Sequence, residues 1–345
     1  MLYIGLDIHS KWMTIAILNA LTGVMSTINR VPNDPEVLRE IFGGFRGKLH
    51  GVMEAGTNAW AMYRILQPYF SELVVADPAK LWRRSSDRVA KTDKRDAERM
   101  ALMLSRGEIE PLYIPDERTQ DLRQLVRAKI RSSRLVTKLV NEIGGLLRSW
   151  GYVGSRSLIS KSGRRELEKA ELPARSQRVL ELWNELLEKA EEIERELDAV
   201  IKEEAQSEPV CQLLETMPGV GPFTSLLIRA EIGDISRFKH SSELASYVGL
   251  TPRVLQSGNR CYYGRLGNWG NRWLKYAFGL LAQRIGRSVQ DNPLKRTYWR
   301  VAIRRHTNAA KIAVARKAVR IVHQMMTHGE QWTEAKASAR TKSAA

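Results

Sequence analysis

Cysteine is almost absent from this chain, which has only Cys211 and Cys261 among its 345 residues. Two isolated thiols match neither a zinc-ligand spacing nor a disulfide framework, so the sequence predicts a reduced, cytoplasmic protein. Long apolar runs are missing too, and no stretch reaches the roughly 18 apolar residues that a membrane-spanning helix needs. Residues 1–10 also lack the basic-then-apolar pattern of a secretory signal. We therefore expect no membrane partner.

Acidic residues are scarce in the C-terminal third, where Asp291 is the only one between Glu243 and Glu330. The net charge is +17, and the excess lies in two blocks: residues 111–165 have 12 basic and 4 acidic side chains, and residues 211–345 have 22 and 7. Such blocks favour a polyanionic partner, because each neutralised phosphate releases condensed counterions. The charge pattern predicts a nucleic-acid-binding protein, with a generally basic, solvated surface as the alternative.

Short β-rich runs and helical segments alternate through the first 110 residues. Three β-rich runs come first, and the short Ser10-Lys11 step between the first two is typical of a hairpin. This order predicts a mixed sheet covered by helices, whereas the chain from residue 116 onward has mostly helical periodicity. The predicted organisation is an α/β domain at 1–115, a helical linker at 116–208, a mostly helical domain at 209–330 and a disordered basic tail at 331–345.

Apolar residues at heptad spacing mark the predicted linker. In its second half the steps alternate between four and three residues through Val179, Trp183, Leu186, Ala190, Ile193, Leu197 and Val200. This seam predicts a coiled coil, or a long antiparallel hairpin with the preceding helix, that spaces the flanking domains and joins subunits. An amphipathic helix packed on its own domain is the alternative.

Four carboxylates of the first domain stand where acids are unusual. Asp7 interrupts the apolar first strand, where a lone carboxylate is costly to bury unless it is paired or bound to metal. Glu54 ends another apolar strand, and Asp93 and Asp96 are spaced to share one helix face. Carboxylates that converge need a cation, and oxygen ligands favour Mg²⁺ or Mn²⁺. By themselves, Asp93 and Asp96 also fit a solvated charged face.

Glycine and arginine are concentrated in the turns of the C-terminal domain. The Gly219-Val220-Gly221 turn either faces a phosphate with its backbone amides or simply connects two helices. Glycine allows close backbone approach and arginine holds phosphate bidentately, which predicts further nucleic-acid contacts. The residues predicted to make them are Gly219, Gly221, Arg253, Gly258, Arg265, Asn271 and Arg272. Ser257 lies in the same stretch, where local chemistry alone indicates a turn residue.

Taken together, these motifs resemble the DEDD-type transposases of bacterial insertion sequences, a family that includes the Piv-type site-specific invertases. The order of the N-terminal elements also resembles the RNase H-like fold of RuvC-type junction resolvases. The matching stretches run in family order from about residue 2 to 280: Gly5-Leu6-Asp7-Ile8-His9, Glu54-Ala55-Gly56, Lys91-Thr92-Asp93 with Asp96-Ala97, Pro218-Gly219-Val220-Gly221-Pro222, Gly249-Leu250 with Pro252, Ser257-Gly258, and Gly270-Asn271-Arg272 with Leu274.

The resemblance implies a RuvC-like N-terminal domain, a coiled-coil linker and a C-terminal transposase domain. It implies that Asp7, Glu54, Asp93 and Asp96 form a metal-binding quartet, and that Ser257 attacks a DNA phosphate to form a covalent phosphoserine link. It also implies donor and target DNA as substrates, a structured guide RNA, action at the nucleoid, and a homo-oligomer, dimer or tetramer, in which active sites combine residues of two subunits.

We therefore interpret the sequence as a serine-dependent, Mg²⁺-requiring DNA transposase or recombinase, guided by RNA. Two alternatives stay open. One is a metal-dependent Holliday-junction resolvase or nuclease in which water attacks and Ser257 is structural. The other is a non-catalytic RNA-binding scaffold whose carboxylates hold no metal.

Overall fold

A computed structural model describes residues 1–45, 47–83, 92–152, 163, 169–257, 260–267 and 269–334 of the chain, and for 82–83, 252–257 and 260–265 it describes the backbone alone. The chain divides into two compact units, Met1–Ile114 and Pro115–Ala345. Within the described residues, no helix has the length and apolar character to cross a membrane. The finer division of the second unit into linker, domain and tail stays a prediction, and most of the predicted tail, from 335 on, lies outside the described residues.

The first unit is a five-stranded sheet with helices. Its strands are β1 (Leu2–Ile8), β2 (Trp12–Asn19), β3 (Met25–Pro32), β4 (Leu49–Glu54) and β5 (Glu72–Ala76). Its helices are α1 (Pro35–Gly43), α2 (Ala59–Leu66), α3 (Pro78–Arg83) and α4 (Asp93–Ser105), and a 3₁₀ turn (Gln67–Tyr69) follows α2. The predicted alternation of strands and helices is confirmed.

The sheet is mixed, with the strand order β3-β2-β1-β4-β5. Strands β1, β2 and β3 form an antiparallel meander, and β4 and β5 then add in parallel to β1. The short step at Ser10-Lys11 connects β1 to β2, as the sequence predicts. This arrangement confirms an α/β class with a mixed sheet.

The two faces of the sheet are covered by different helices. Because side chains alternate along a strand, even and odd positions of β1 face different helices. Ile4 and Leu6 of β1 pack in a core with Leu38 of α1 and Leu66 of α2. Gly5 and Asp7, at the odd positions, lie on the opposite face, which α4 covers. The same alternation puts Val52 and Glu54 of β4 on the α4 side, where Val52 packs with Met100.

Gly5 allows α4 to lie directly on β1. A Cβ atom at Gly5 would come within 2.0 Å of the Ala97 carbonyl oxygen and 2.8 Å of the Ala101 amide nitrogen. Ala16, Ala97 and Ala101 form the small buried cluster around this contact. Because only small residues meet here, the first turn of α4 comes close to the end of β1.

We predict that Gly5→Val destabilises the first unit, because backbone atoms of α4 cannot yield to the new side chain. Overpacking of this kind costs about 1–3 kcal/mol or more. Hydrogen exchange of the β1 and α4 amides in the full chain measures the loss. The matched control is Gly43→Ala, since a Cβ at Gly43 meets no described atom within 4 Å. Equal protection in both variants would contradict the close contact.

The second unit is mostly helical, as predicted. Its helices are α5 (Glu117–Ser149), α6 (Ala174–Ser207), α7 (Pro209–Glu215), α8 (Pro222–Ile232), α9 (Ser241–Val248), α10 (Arg272–Arg287), α11 (Pro293–Arg304) and α12 (Thr307–His328). Helices α8, α10 and α12 contribute Leu227, Phe278 and Val319 to one large core, and the start of α5 contributes Val126. The loop predicted at 151–163 lies mostly outside the described residues.

Helices α5 and α6 run antiparallel. Near the start of α5, Lys129 reaches Glu194 at 2.9 Å and Asp198 at 2.5 Å, whereas Trp150, just after its end, donates to Ser176 at 3.1 Å. This pairing agrees with the long antiparallel hairpin that the sequence analysis gives as one possibility. The coiled-coil description itself stays a prediction.

The face of α6 that packs on α5 contains only part of the predicted seam. Ala190 and Trp183 of the seam pack between the helices with Leu180 and Leu187, whereas Val179, Leu186, Ile193 and Val200 of the seam are 38–48% exposed. The exposed members of the seam are replaced at the packed face by residues one position later in the chain, among them Glu194, which lies 2.9 Å from the buried Lys129.

A β-hairpin stands where the sequence analysis gave only a glycine- and arginine-rich turn region. Strands β6 (Pro252–Ser257) and β7 (Arg260–Leu266) pair antiparallel between α9 and α10. Ser257 and Arg260 are register partners, so Ser257 ends β6 at the turn of the hairpin. Gly258, the next residue in the sequence, lies outside the described residues.

Candidate active site

Asp7, His9 and Asp93 form a cluster of ligand-type side chains in the first unit. The His9 Nε2 atom lies 3.4 Å from Asp7 Oδ2 and 3.5 Å from Asp93 Oδ2. One ligand atom from each of the three residues lies within 4.8 Å of the others. The side chains are partly accessible, at 18% for Asp7, 38% for His9 and 49% for Asp93, so the cluster is open on one side.

Local structure brings these three residues together. Asp7 ends the buried part of β1, and His9 follows it on the same side of the alternating chain. Asp93 begins α4, whose N-cap is Thr92, with the threonine hydroxyl accepting a hydrogen bond from the Arg95 amide. Acids in the first turn of a helix also interact favourably with its macrodipole. The Gly5 contact then sets the distance between β1 and α4.

His9 belongs to the motif Gly5-Leu6-Asp7-Ile8-His9 but is absent from the predicted site residues. Its ring packs against Trp12 in a tilted arrangement with centroids 4.0 Å apart, and its backbone carbonyl oxygen accepts hydrogen bonds from Asn33 at 2.8 Å and Asn58 at 3.0 Å. The positions 5, 7 and 9 share one side of an extended chain, and this period of two is the signal that could have identified it.

Glu54 and Asp96 lie beside a small cavity of the same unit. They line it together with Leu81, Arg99 and Met100. Four predicted acids therefore occur in two groupings in the structure: Asp7 and Asp93 meet at His9, and Glu54 and Asp96 meet at this cavity. Both groupings are on the α4 side of the sheet.

The donor set around His9 fits a divalent cation. The His9 Nε2 atom is buried and has no hydrogen-bond partner of good geometry among the described residues, although two carboxylate oxygens lie nearby. One imidazole nitrogen and two carboxylate oxygens suit Mn²⁺, and the carboxylates alone suit Mg²⁺. A cation would also offset the repulsion between two carboxylates that lie this close together.

The predicted nucleic-acid residues of the second unit occur at the ends of elements. Gly221 is the N-cap of α8, and Gly219, with φ of +83°, packs against Ile285 of α10. Arg253 lies in β6 and Arg265 in β7. The turn between helices that the sequence predicts at 219–221 is thereby confirmed, while phosphate contact there stays a prediction.

Arg272 opens α10 and stacks on its neighbour. Its guanidinium carbon lies 4.6 Å from the centroid of the Trp273 ring. Two arginines of α5 approach the same ring, Arg127 at 5.5 Å and Arg134 at 5.7 Å. Two exposed guanidiniums, of Arg134 and Arg272, thus lie beside one indole where α5 and α10 meet and give this surface a positive charge, while Arg127 approaches the ring from below.

Asn271 has its side chain engaged inside the protein. Its Oδ1 caps α10 by accepting from the amides of Trp273 at 2.9 Å and Leu274 at 3.1 Å. Its Nδ2 donates to Glu231 Oε2 at 2.8 Å. The predicted contact of Asn271 with nucleic acid stays a prediction, but the structure already assigns partners to both ends of its amide.

A partly buried arginine holds the C-terminal end of α8. Arg123 donates to the carbonyl oxygens of Ala230 at 2.8 Å and Glu231 at 3.1 Å. Burial lowers the pKa of Arg123, and the negative charge of Glu231 partly offsets this effect.

Burial raises the pKa of the Cys211 thiol to about 12, so this cysteine is no nucleophile.

Two family models of transposases match this chain, one in its N-terminal part and one in its C-terminal part. Residues 4–151 match the family model of DEDD transposases of IS110 elements, described as "Transposase", and residues 211–300 match the model described as "Transposase IS116/IS110/IS902 family". The transposase for insertion sequence element IS1111A of Coxiella burnetii is 32% identical over 295 residues, which cover 81% of this chain and 78% of the relative.

Further relatives carry similar descriptions. A probable family 20 transposase of Pseudomonas aeruginosa is 25% identical over 248 residues, covering 69% of this chain and 72% of the relative. The transposase for insertion sequence element IS1328 of Yersinia enterocolitica is 26% identical over 246 residues, with 69% and 72% covered. The chain therefore belongs to the IS110/IS116/IS902 family of insertion-sequence transposases, and it is a DNA transposase.

Proposed function

We propose that this transposase cuts and rejoins DNA through a covalent phosphoserine intermediate, with a metal-binding acidic site in its first unit and Ser257 as the nucleophile. The observation that carries the proposal is the convergence of Asp7, His9 and Asp93 within 4.8 Å, on the helix-covered side of a mixed sheet. A sheet with this strand order and acids at this edge supports an RNase H-like fold of the RuvC type.

The residues proposed to hold the metal are Asp7, His9 and Asp93, with Glu54 and Asp96 on the same side of the sheet. We propose Mg²⁺ as the resident ion, with Mn²⁺ as a substitute that the imidazole also suits. When bound, such an ion stabilises negative charge on phosphate oxygens and orients the substrate. The protein's own part is to hold these ligands in place through the β1–α4 contact and the capped start of α4.

The serine step transfers a phosphoryl group and conserves its bond energy. The Ser257 hydroxyl oxygen forms a bond to the DNA phosphorus, the bond from phosphorus to one deoxyribose oxygen breaks, and the serine proton is balanced by the proton that the released sugar hydroxyl takes up. The resulting phosphodiester between serine and DNA can be attacked by another sugar hydroxyl, which rejoins DNA without an external energy source. The position of Ser257 at the end of β6 supports presentation to a substrate.

A direct test is to trap the intermediate. The full chain is incubated with Mg²⁺, end-labelled DNA from the ends of its insertion sequence, and any RNA that co-purifies. We expect labelled DNA to migrate with the denatured protein and to be released by protease. Free cleaved ends without any such adduct would instead favour the metal-dependent resolvase or nuclease, in which water attacks. No cleavage and no adduct would favour the RNA-binding scaffold.

We propose that the positive surface of α5 and α10 binds the nucleic-acid backbone. Arg127, Arg131, Arg134 and Lys138 follow at steps of four, three and four residues, which places them on one face of α5. Arg131, Arg134 and Arg272 are exposed, and no carboxylate of the described residues forms an ion pair with them. Exposed guanidiniums beside one another favour phosphate as their counter-charge.

The double substitution Arg131→Ser and Arg134→Ser should reduce the salt dependence of DNA binding. The slope of log Kobs against log salt should fall by about 0.9 for each phosphate that the protein no longer neutralises on duplex DNA, and by about 0.7 on a single strand. Fluorescence anisotropy with labelled DNA measures it. Arg178→Ser with Lys189→Ser is the control, because it removes the same charge from α6, where both side chains pair with glutamates. A slope that changes equally in both double variants would contradict the assignment.

A structured guide RNA is the second proposed nucleic-acid partner. Its support is the family membership together with the two basic blocks at 111–165 and 211–345. Sequencing of the nucleic acid that co-purifies with the chain tests it, and we expect one defined RNA encoded beside the gene. A random sample of cellular RNA would contradict this part of the proposal without affecting the serine step.

We also propose a homo-oligomer, a dimer or tetramer, joined through α6. The exposed stripe of Val179, Leu186, Ile193 and Val200 repeats every seven residues, which is the spacing of a coiled-coil contact. In such an assembly the carboxylates of one subunit can act with the serine of another. Light scattering with Leu186→Glu and Ile193→Glu tests it, since charge on the stripe should yield monomers.

A further inference from the structure

Glu231 is a fully buried carboxylate at the C-terminal end of α8, with 0% of its side chain exposed. Arg127 of α5 donates to it through both prongs of the guanidinium, at 2.6 Å and 2.9 Å. A buried charge of this kind is tolerated only when it is paired and hydrogen-bonded. Hydrophobic residues could fill the same space at less cost, so the retained charge invites a role beyond packing.

The same carboxylate connects to the segment that returns from the β6–β7 hairpin. The Glu231 Oε2 atom accepts a hydrogen bond from the side-chain Nδ2 of Asn271 at 2.8 Å. The backbone N–H of Asn271 donates to the backbone carbonyl oxygen of Tyr247 at 2.7 Å. Tyr247 lies in α9, just before the chain enters the hairpin, and Asn271 lies just after the chain leaves it. Asn271 thus joins both sides of the base of the hairpin to the ion pair between α5 and α8.

The base of the hairpin is tightly packed. A Cβ at Gly270 would come within 2.6 Å of the Gly249 Cα, so the entering and leaving backbones touch. Lys275 of α10 donates to the carbonyl oxygens of Gly267 at 3.3 Å and Trp269 at 3.2 Å. Lys275 therefore ties the backbone that leaves the hairpin to α10.

Ser257 lies at the far end of this structure. Five residues of β6 lie between it and the base, which corresponds to roughly 17 Å at about 3.4 Å per residue. Over that length a tilt of roughly 3° at the base moves the Ser257 backbone by about 1 Å, and a displacement of this size can lower a rate by about a hundredfold. Small changes at Asn271 are thus amplified at Ser257.

We propose that Glu231, acting through Asn271, is a positioning residue that aims the β6–β7 hairpin and with it the hydroxyl of Ser257. This inference rests on the proposed role of Ser257. It gives Arg127 a second role as well, because the guanidinium that neutralises Glu231 also lies beside Trp273 on the positive surface. The charge on Glu231 couples the surface of α5 to the base of the hairpin.

Asn271→Ser tests the link in the full-length protein. Serine is as good an N-cap as asparagine, so α10 keeps its cap, but the shorter hydroxyl cannot replace the amide that Glu231 accepts from. We expect the rate of covalent adduct formation at saturating DNA to fall about tenfold to a hundredfold. The DNA concentration that gives half the maximal rate should stay within about twofold of wild type, as a loss of aim predicts and a loss of binding does not.

Asn292→Ser is the matched control. Asn292 caps α11 with the same geometry, its Oδ1 accepting from the amides of Leu294 and Lys295 at 3.0 Å each, but its buried Nδ2 has no hydrogen-bond partner in the described part of the chain. We expect an unchanged adduct rate in this variant. An equal loss of rate in both variants, an unchanged rate in Asn271→Ser, or a change in half-saturation alone would each overturn the proposal.

A donor–acceptor exchange gives a second test. Asn271→Asp places a carboxylate against Glu231 and should slow adduct formation more than serine does. Adding Glu231→Gln restores one hydrogen bond of reversed direction and keeps one negative charge beside Arg127, so the double variant should recover at least part of the rate. A double variant slower than Asn271→Asp would overturn the coupling. If wild type itself forms no adduct, the serine proposal fails and not this link.

Discussion

Replacing Ser257 by alanine should abolish the covalent protein–DNA adduct while DNA binding and metal binding persist. The substitution removes one oxygen atom at the end of β6 and leaves the hairpin register intact. Without its nucleophile the enzyme loses the step itself, so we expect a fall of at least about 10³-fold in adduct yield. The measurement is the fraction of labelled DNA that stays bound to protein after denaturation.

Ser246→Ala is the control for this experiment. Ser246 is an exposed serine of α9 in the same unit, and its hydroxyl has no assigned part in the reaction. Its adduct yield should equal that of wild type. An adduct of normal yield in Ser257→Ala would show that another group attacks the phosphate, and free cleaved ends in that variant would favour attack by water.

Asp7→Asn should abolish strand cleavage and weaken metal binding by more than about 100-fold. Loss of a residue that only hydrogen-bonds to a metal ligand already lowers the affinity by up to about 100-fold, and loss of a ligand itself should cost more. Asparagine keeps the volume of Asp7 but carries no charge, and Asp7 lies next to both His9 and Asp93. Calorimetric titration with Mg²⁺ and Mn²⁺ measures the affinity, and the adduct assay measures the chemistry.

The same variant should not lose thermal stability in the absence of metal. Asp7 and Asp93 repel one another when no cation lies between them, so neutralising one of them relieves this repulsion in the folded state. Glu36→Gln is the control, because Glu36 is an exposed acid in the first turn of α1, away from the cluster. A large fall in melting temperature would mean that Asp7 acts in packing, and normal cleavage would contradict its place in the site.

The order of strands and helices in the first unit could be predicted because β-rich runs and segments of helical spacing follow one another there without overlap. The apolar runs of β1 and β2 have the period of a buried strand, and the short step between them allows only a tight connection. The acidic positions followed from the same pattern, since a carboxylate within an apolar strand is itself a signal. His9 could not be predicted as a ligand, because a single histidine that follows a strand is also common in proteins without a metal site.

The packing of α6 could not be predicted from spacing alone. Two overlapping seven-residue repeats run along this helix, one through Val179 and Leu186 and another through Leu180 and Leu187. Apolar periodicity does not distinguish them. The repeat that packs on α5 is the one that places Glu194 opposite Lys129, which is buried on α5. A buried charge requires a partner, and apolar spacing carries no information about that requirement.

The hairpin of the second unit was concealed by its composition. Glycines on both sides of β6 and β7 indicate turns, and the arginines between them indicate a surface loop. The run Cys261-Tyr262-Tyr263 does favour a strand, since aromatic residues are common in strands, but the glycines and arginines around it outweigh this signal. Asn271 was predicted to touch nucleic acid, and its internal bonds to Glu231 and to α10 could be found only in three dimensions.

The close approach at Gly5 has a consequence for anyone who builds chimeras of these transposases. With the Ala97 carbonyl oxygen 2.0 Å from where a Cβ would lie, β1 and α4 fit each other without tolerance. A graft that takes α4 from one relative and β1 from another must therefore match both surfaces at once, or the two aspartates they carry will separate. These two elements, about 90 residues apart along the chain, form one exchangeable part.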